Sequence, residues 1–403
     1  MISFSLTEEQ EQLVNAVKEF TEQEVKPVAA KYDKETDPEK CIPWDLIEKG
    51  LEMQMGSLII PEEYGGCGYT DLEVAMVAEE LAYGDSGYAA SILGNVHSSH
   101  AIIRYGTKEQ KQKWLTYITS DKTNRLLLAG AFTEPGAGSD VMTPNPEGGI
   151  MTTAVLEGDE FVLNGTKCFI TNGGIASIYL VWARTDVTKS AMEGGLSVFI
   201  VPSDAPGFSI GKIEDKIGQR LSQQAELIFD NCRIPKENLL GEIGQGFEIC
   251  GDLVCSNFMM VGSMSIGIAR AAYDYAYEYA KTRVQGGSQI INHQAISHKL
   301  ADMLIAIETG RNLVWKSAWT NTNLQPDNML ASMCKVYCSD VAMKATQEAV
   351  QIFGGYGCSK EYPVEKLMRD AKITQIYESP NETHKNDIID MVRMFEEFPE
   401  MMQ

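Results

Sequence analysis

The sequence predicts an α+β chain, mostly helical. An N-terminal helical domain spans residues 1–122, a central β-barrel or sandwich domain spans 123–236, and a C-terminal four-helix bundle spans 237–403. Three observations predict this order. Apolar residues recur at helical spacing at both ends of the chain. Between the ends, the period changes to short β-rich runs bounded by Gly, Pro, Asp and Asn. At 403 residues the chain is also too long for one simple core, so two or three domains are expected.

Thr7, followed three residues later by Gln10, reads as a capping box opening the first helix, with Leu13, Val17 and Phe20 as its apolar positions. Val74, Met76, Val77 and Leu81 repeat the pattern, and Pro61 with the Gly65 and Gly66 pair punctuates the turn between the two stretches. In the middle region, EGDEFVLNGTKCFITNG (157–173) alternates like a β-hairpin, with Asn164 and Gly165 as its turn. IYLVWART (178–185), LSVFIVPS (196–203) and AELIFDNCRIP (225–235) are further strands. Toward the C-terminus, Ala269, Ala272, Tyr273, Ala276 and Ala280 share one helical face, and Leu300, Met303, Leu304, Ile307 and Val314 share another. The small-residue face implies close helix packing, in a bundle or across a subunit interface.

A formal net charge of -22 opposes nucleic-acid binding and requires locally placed cations and N–H groups for any anionic ligand. Nine cysteines form no CxxC pair and read as reduced core residues. His97 and His100 form HxxH without a carboxylate or third ligand, so no metal site is expected. The opening segment has neither the basic leader nor the apolar core of a signal peptide, and no stretch approaches the roughly 20 uninterrupted apolar residues of a membrane helix. A cytoplasmic location with no membrane association is the expectation.

Four segments carry chemistry. In AFTEPGAGSDV (131–141), Gly136 and Gly138 let a ligand approach the backbone, and Thr133 and Ser139 offer hydroxyls. The loop is not GxGxxG and enters a β-domain, so it is no Rossmann fingerprint. In KCFITNGG (167–174), Phe169 and Thr171 share a strand face, an aromatic beside a hydroxyl that suits a flat heteroaromatic ligand or simply core packing. Arg283 is an always-charged phosphate partner, separated by Gly286 and Gly287 from a helix that begins near His293. Finally, QIFGGYG (351–357) leads into EYPVEKLMRDAKITQIYESPNE (361–382). Here Ser379, Pro380 and Glu382 read as the cap, first and third positions of a helix. Glu378 precedes them on the apolar approach of Ile373, Ile376 and Tyr377, where partial desolvation favours action as a base.

Taken in order, TEPGAGSD, K-x-aromatic-I-T-N-G, HQ-x-I-x-x-x-LADM, Q-(I/L)-x-GG-x-G and EYPVEKLMRDAK-x-x-x-IYE resemble the acyl-CoA dehydrogenase family over essentially the entire chain. The last motif is the most specific. The resemblance implies the same helical, β, helical order, a homotetramer, and FAD bound between the β-domain and the C-terminal bundle. It puts Phe132, Thr133, Phe169 and Thr171 around the flavin ring, Gly138 and Ser139 along the ligand channel, and Tyr377 among the cofactor-binding residues. Arg283 would reach the FAD pyrophosphate of a neighbouring subunit, with Gln294 and the backbone of Gln351, Gly354 and Gly355 completing that site. Glu378 falls at the family's usual base, removing the α-proton of an acyl-CoA while the β-carbon passes hydride to the flavin. Electrons would leave through an electron-transfer flavoprotein.

The same residues serve the reverse reaction, so an enoyl-CoA reductase is equally compatible with the motifs. The sequence also departs from the family pattern. Ser379, Pro380 and Glu382 replace Gly, Thr and Gln; Cys255 and Phe258 replace an Asp and an Arg; and Phe169 replaces a Trp. With no Arg or Lys between Glu242 and Ala269, this wall is more apolar and less charged. The missing Arg and the altered turn favour a third reading, a non-catalytic flavin-binding or complex-forming subunit, and the retained Glu378 opposes it.

Overall fold

The computed structural model describes residues 5–121, 123 and 125–397. Helices α1 (Glu8–Phe20), α2 (Lys26–Asp33), α3 (Trp44–Glu52), α4 (Asp71–Gly84), α5 (Ser86–Tyr105) and α6 (Lys108–Thr119) come first. The expected capping box opens α1: Thr7 Oγ1 accepts from Gln10 N, and Gln10 Oε1 accepts from Thr7 N. Thr70 with Glu73 and Thr107 with Gln110 repeat the device on α4 and α6.

Eight strands follow: β1 (Leu128–Ala131), β2 (Thr153–Glu157), β3 (Glu160–Thr171), β4 (Ile178–Arg184), β5 (Leu196–Pro202), β6 (Phe208–Ile213), β7 (Gln224–Pro235) and β8 (Leu239–Leu240). They form one sheet in the order β6-β7-β3-β2-β4-β5-β8, with β1 parallel to β4. A single pair, Thr153 with Arg184, joins β2 to β4. Phe161 and Leu163 of β3, Val181 of β4, Phe199 of β5 and Leu227 of β7 share one apolar cluster. The other face of β4, Leu180 and Trp182, packs with Ile102 of α5 and Trp114 of α6. Burial on both faces explains why IYLVWAR is a continuous apolar run rather than an alternating one.

The hairpin turn lies elsewhere than Asn164 and Gly165. It falls at Gly158, whose φ of 68° suits glycine, while Asn164 and Gly165 sit inside β3 at a register shift against β7. A Cβ at Gly165 would collide with Thr152, and Asn164 Oδ1 accepts from Asn231 N at 2.8 Å. The pair therefore makes a bulge, the other use a sheet has for such residues.

The C-terminal region contains α7 (Gly246–Thr282), a tight hairpin of β9 (Val284–Gln285) and β10 (Ser288–Gln289), then α8 (Gln294–Asn323), α9 (Asn328–Phe353), α10 (Val364–Thr374) and α11 (Asn381–Glu397). Gly286 and Gly287, both at positive φ, turn the hairpin. Ala269, Ala272, Ala276 and Ala280 are fully buried in a cluster with Cys338, Ala342, Ala345 and Ala349 of α9. The small-residue face thus serves close packing within this bundle. By length and composition α7 could cross a membrane, but 72% of its most apolar window is buried inside the fold.

The EYPVEKLMRDAK segment is a junction. Lys366 Nζ lies 2.6 Å from both Asp85 Oδ2 and Asp370 Oδ2, all three side chains buried. Asp85 also caps α5, and Asp370 Oδ1 accepts from Gln219 N at 2.6 Å. Arg369 forks onto Asp33 of α2 and bonds the Ile217 carbonyl. So α10 clamps α2, α5 and the loop before β7, only four residues ahead of Glu378. Burial pulls the Lys366 ammonium down, but its two carboxylates outweigh that and leave it raised. Asp370 is raised, by burial first and by Asp85.

Candidate active site

The glycine loop is held by a buried ion pair. Glu134 and Ala137 exchange backbone hydrogen bonds, and the Glu134 carboxylate accepts from Met151 N, Thr152 N and Lys167 Nζ at 2.7, 2.9 and 2.8 Å. Lys167, with no exposed side-chain surface, also donates to the Phe132 carbonyl at 2.9 Å. Burial pulls Lys167 down to about 8 against the opposing pull of Glu134. Burial pushes Glu134 up, but Lys167 and the hydrogen bonds hold it below its ordinary value. Neither residue stood out among glycines and aromatics, yet both lie in the motifs, and a lysine inside the run KCFI was a usable signal.

So braced, the loop leaves open space: no atom lies within 4 Å of a Cβ built on Gly136 or Gly138, and Ser139 is exposed. Cys168 N donates to the Thr133 carbonyl at 2.9 Å, which sets the loop beside the end of β3. There Phe169 takes a φ of 56° at a second register shift and exposes 56% of its surface, an unusual setting for a large aromatic. Thr171 is half-buried on the side away from the buried Cys168 and Ile170. Phe132 lies against the sheet, stacked on Trp182 at a 3.7 Å centroid distance, with its ring plane at 70° to that of His97, 6.4 Å away.

Glu378 is half-buried in the turn between α10 and α11. Its charge reaches His97 of α5, Cys250 of α7 and Lys335 of α9. Burial keeps His97 below its usual value and pushes the Cys250 thiol up to about 12, while Lys335 is pulled down to about 8. The turn differs from the expected cap. The helix starts at Asn381, one residue late, and Ser379, at φ 70°, follows Glu378 at φ 50°. Its carbonyl accepts from Lys335 Nζ at 2.7 Å. A left-handed residue there accounts for the family's glycine.

His384, also missed in the sequence reading, is fully buried, in a T-shaped contact with the Phe258 ring at 4.4 Å. Cys255 donates its thiol to Asn328 Oδ1 at 2.9 Å. Both departures on α7 are therefore absorbed by neutral partners.

Arg283, Gln294, Gln351, Gly354 and Gly355 gather elsewhere. Arg283 lies over the Tyr356 ring at 5.5 Å, Gly354 and Gly355 face open space, and Tyr279 stacks on Phe353 at 4.1 Å. Gln294 and Gln351 are exposed. Along α7 this group is roughly 37 Å from Phe258, at 1.5 Å per residue.

Family models for the acyl-CoA dehydrogenase N-terminal, middle and C-terminal domains match residues 7–122, 129–232 and 244–392. The chain belongs to the acyl-CoA dehydrogenase family. It is an oxidoreductase acting on CH–CH bonds, with FAD as its cofactor. The short-chain specific acyl-CoA dehydrogenase of Clostridium acetobutylicum is 40% identical, over 95% of this chain and 98% of that protein. The acryloyl-CoA reductase (NADH) of Anaerotignum propionicum is 41% identical, over 95% of this chain and 94% of that one. Among solved structures, a chain described under "Electron transferring flavoprotein of Acidaminococcus fermentans: Towards a mechanism of flavin-based electron bifurcation" superposes with a TM-score of 0.90 at 40% identity, covering 97% of this chain and 99% of that one.

The residues present in this acyl-CoA dehydrogenase fit FAD. An exposed aromatic and an open glycine loop can meet a flat ring, and Arg283 beside open glycines can meet a pyrophosphate.

His384 should make the enzyme acid-sensitive. Burial holds it down to about 4, although hydrogen bonds to the backbone oppose the shift. A histidine ordinarily titrating near 6.5 must therefore lose a proton preference on folding, so its contribution is present above that value and is lost as pH falls toward 4. Between about pH 7.5 and pH 5 the loss should be about 2 kcal/mol. Denaturant midpoints of the native enzyme and of His384→Gln at both pH values check this. His97 and His100 shift in the same direction, so the variant should flatten the dependence only in part.

Proposed function

We propose that the enzyme removes hydrogen across the Cα–Cβ bond of short-chain acyl-CoA thioesters, with Glu378 as the base. The observation that carries this is a half-buried carboxylate whose charge reaches half-buried His97 and Cys250, with the His97 ring in turn 6.4 Å from that of Phe132 at the entry to the open glycine loop. Glu378 takes the α-proton onto its carboxylate, and its backbone N–H donates to the thioester carbonyl, where negative charge builds as the proton leaves. FAD, when bound, supplies the acceptor for the β-hydride. Phe169, Thr171, Thr133 and Tyr377 orient the ring, and the loop at Gly138 and Ser139 borders the acyl-CoA. The α7 wall with Cys250, Cys255 and Phe258 carries no Arg or Lys and favours a short apolar acyl chain, in keeping with the short-chain name of the clostridial relative.

Arg283, at the end of α7 beside the Gln351 to Gly355 turn, lies far along that helix from Phe258 and the Glu378 turn. This supports their binding the FAD of a second copy in a homotetramer. The electron-transferring flavoprotein described with the superposing structure supports such a flavoprotein as the electron partner. The acryloyl-CoA reductase relative favours a second reading, the same chemistry run as enoyl-CoA reduction.

Anaerobic addition of propionyl-, butyryl- and hexanoyl-CoA to the flavin-loaded enzyme should bleach the flavin absorbance. Reoxidation of dithionite-reduced enzyme by the matching enoyl-CoAs should occur at the same site. A flavin indifferent to every one of these thioesters overturns the proposal.

A further inference from the structure

Glu378 and Ser379 are consecutive non-glycine residues in the left-handed region, at φ 50° and 70°. Such strain persists only when the surroundings over-determine it. Each of the two following carbonyls is held by a buried side chain. His384 Nε2 lies 2.8 Å from the Glu378 carbonyl oxygen, and Lys335 Nζ lies 2.7 Å from that of Ser379. A carbonyl can only accept, so the proton of a neutral His384 sits on Nε2. Its Nδ1 then accepts from Ser332 Oγ at 3.2 Å. The Phe258 and His384 rings meet in a T-shaped contact, with the planes at 89°. Lys335 is likewise oriented: it also bonds Asn381 Oδ1 at 2.8 Å, while Asn381 Nδ2 donates to Ser339 and Asp340 at 2.9 Å. Both ring nitrogens and the ring of His384 are thus engaged by α9, α7 and the Glu378 turn.

We propose that His384 is a positioning residue for Glu378. Its Nε2–H fixes the Glu378 carbonyl and, with Lys335 on the next carbonyl, holds the left-handed turn that presents the carboxylate to the α-carbon of the substrate. Ser332 and Phe258 hold the imidazole in the tautomer and orientation that this requires. The inference rests on Glu378 acting as the base.

The test follows anaerobic bleaching of the flavin-loaded enzyme by butyryl-CoA in a stopped-flow instrument. His384→Leu keeps bulk and removes the donor. It should lower the limiting rate about 10- to 100-fold, as expected when a reacting group is slightly misplaced. Flavin content and the half-saturating butyryl-CoA concentration should not change. His384→Gln, whose amide N–H can serve the same carbonyl, should recover most of the loss. A wild-type rate in His384→Leu, equal slowing in both variants, or an effect confined to half-saturation overturns the proposal. If His384→Leu fails to retain flavin, Ser332→Ala decides. Loss of the hydroxyl that holds Nδ1 should slow bleaching at unchanged half-saturation, and a wild-type rate there overturns the proposal. Glu378→Gln run in parallel separates the two claims. If it bleaches at the wild-type rate, the base assignment and this inference both fall. If it is inert while His384→Leu is unaffected, only the positioning role falls.

Discussion

Glu378→Gln is expected to slow reduction of the bound flavin by short-chain acyl-CoA about 10²- to 10⁴-fold, the range a positioned general base contributes. The substitution is nearly isosteric and leaves the backbone N–H in place, so thioester binding and flavin content should persist. What would disappear is the carboxylate proposed to take the α-proton. The Cys250 thiol, pushed up to about 12, stays protonated near neutral pH, and desolvation makes half-buried His97 a weaker base than an ordinary histidine. Single-turnover bleaching measures the chemical step directly. A variant that bleaches normally would place the base elsewhere.

Lys366→Met should be the most destabilising single change in the α10 junction, by about 3–5 kcal/mol, because it leaves buried carboxylates without their counter-charge. Asp85 and Asp370 would then face each other, and the capping of α5 and the Gln219 contact would be disturbed with them. The apparent melting temperature should fall sharply. Adding Asp85→Asn and Asp370→Asn to the same chain should restore much of it, since a neutral cluster costs less than an unpaired one. Lys281→Met, which breaks an exposed pair with Glu278, should leave stability nearly unchanged. Equal effects at the two lysines would contradict the junction argument. Flavin retention is a second readout, because α10 leads directly to the Glu378 turn.

Several features were readable in the residues because their causes are local. The Thr7 capping box needs only four residues. The glycine pair at 286 and 287 needs only its own φ angles. The alternation of β3 against the helical spacing of α7 separates strand from helix without knowledge of any partner. Glu378 was legible through its motif and its apolar approach. Where local logic failed, tertiary contact had overruled it. Asn164 and Gly165 could turn a hairpin, but Gly158 does so instead, and pairing with β7 turns the other two into a bulge. Ser379 could cap a helix, but Lys335, from another helix, holds its carbonyl in a left-handed turn.

The sequence by itself determined the order of helical, β and helical regions, the family, the cofactor class and the candidate base, because periodicity and motif spacing are properties of the chain. Only the tertiary structure decided that Glu134 and Lys167 brace the glycine loop, that Lys366 joins Asp85 to Asp370, and that His384 stands neutral against Phe258 with its proton toward Glu378. Each of these is a desolvated contact between residues from 4 to 281 positions apart. The physical reason is that charge pairing, tautomer and strain acquire their energies only once folding has removed water from around the groups concerned.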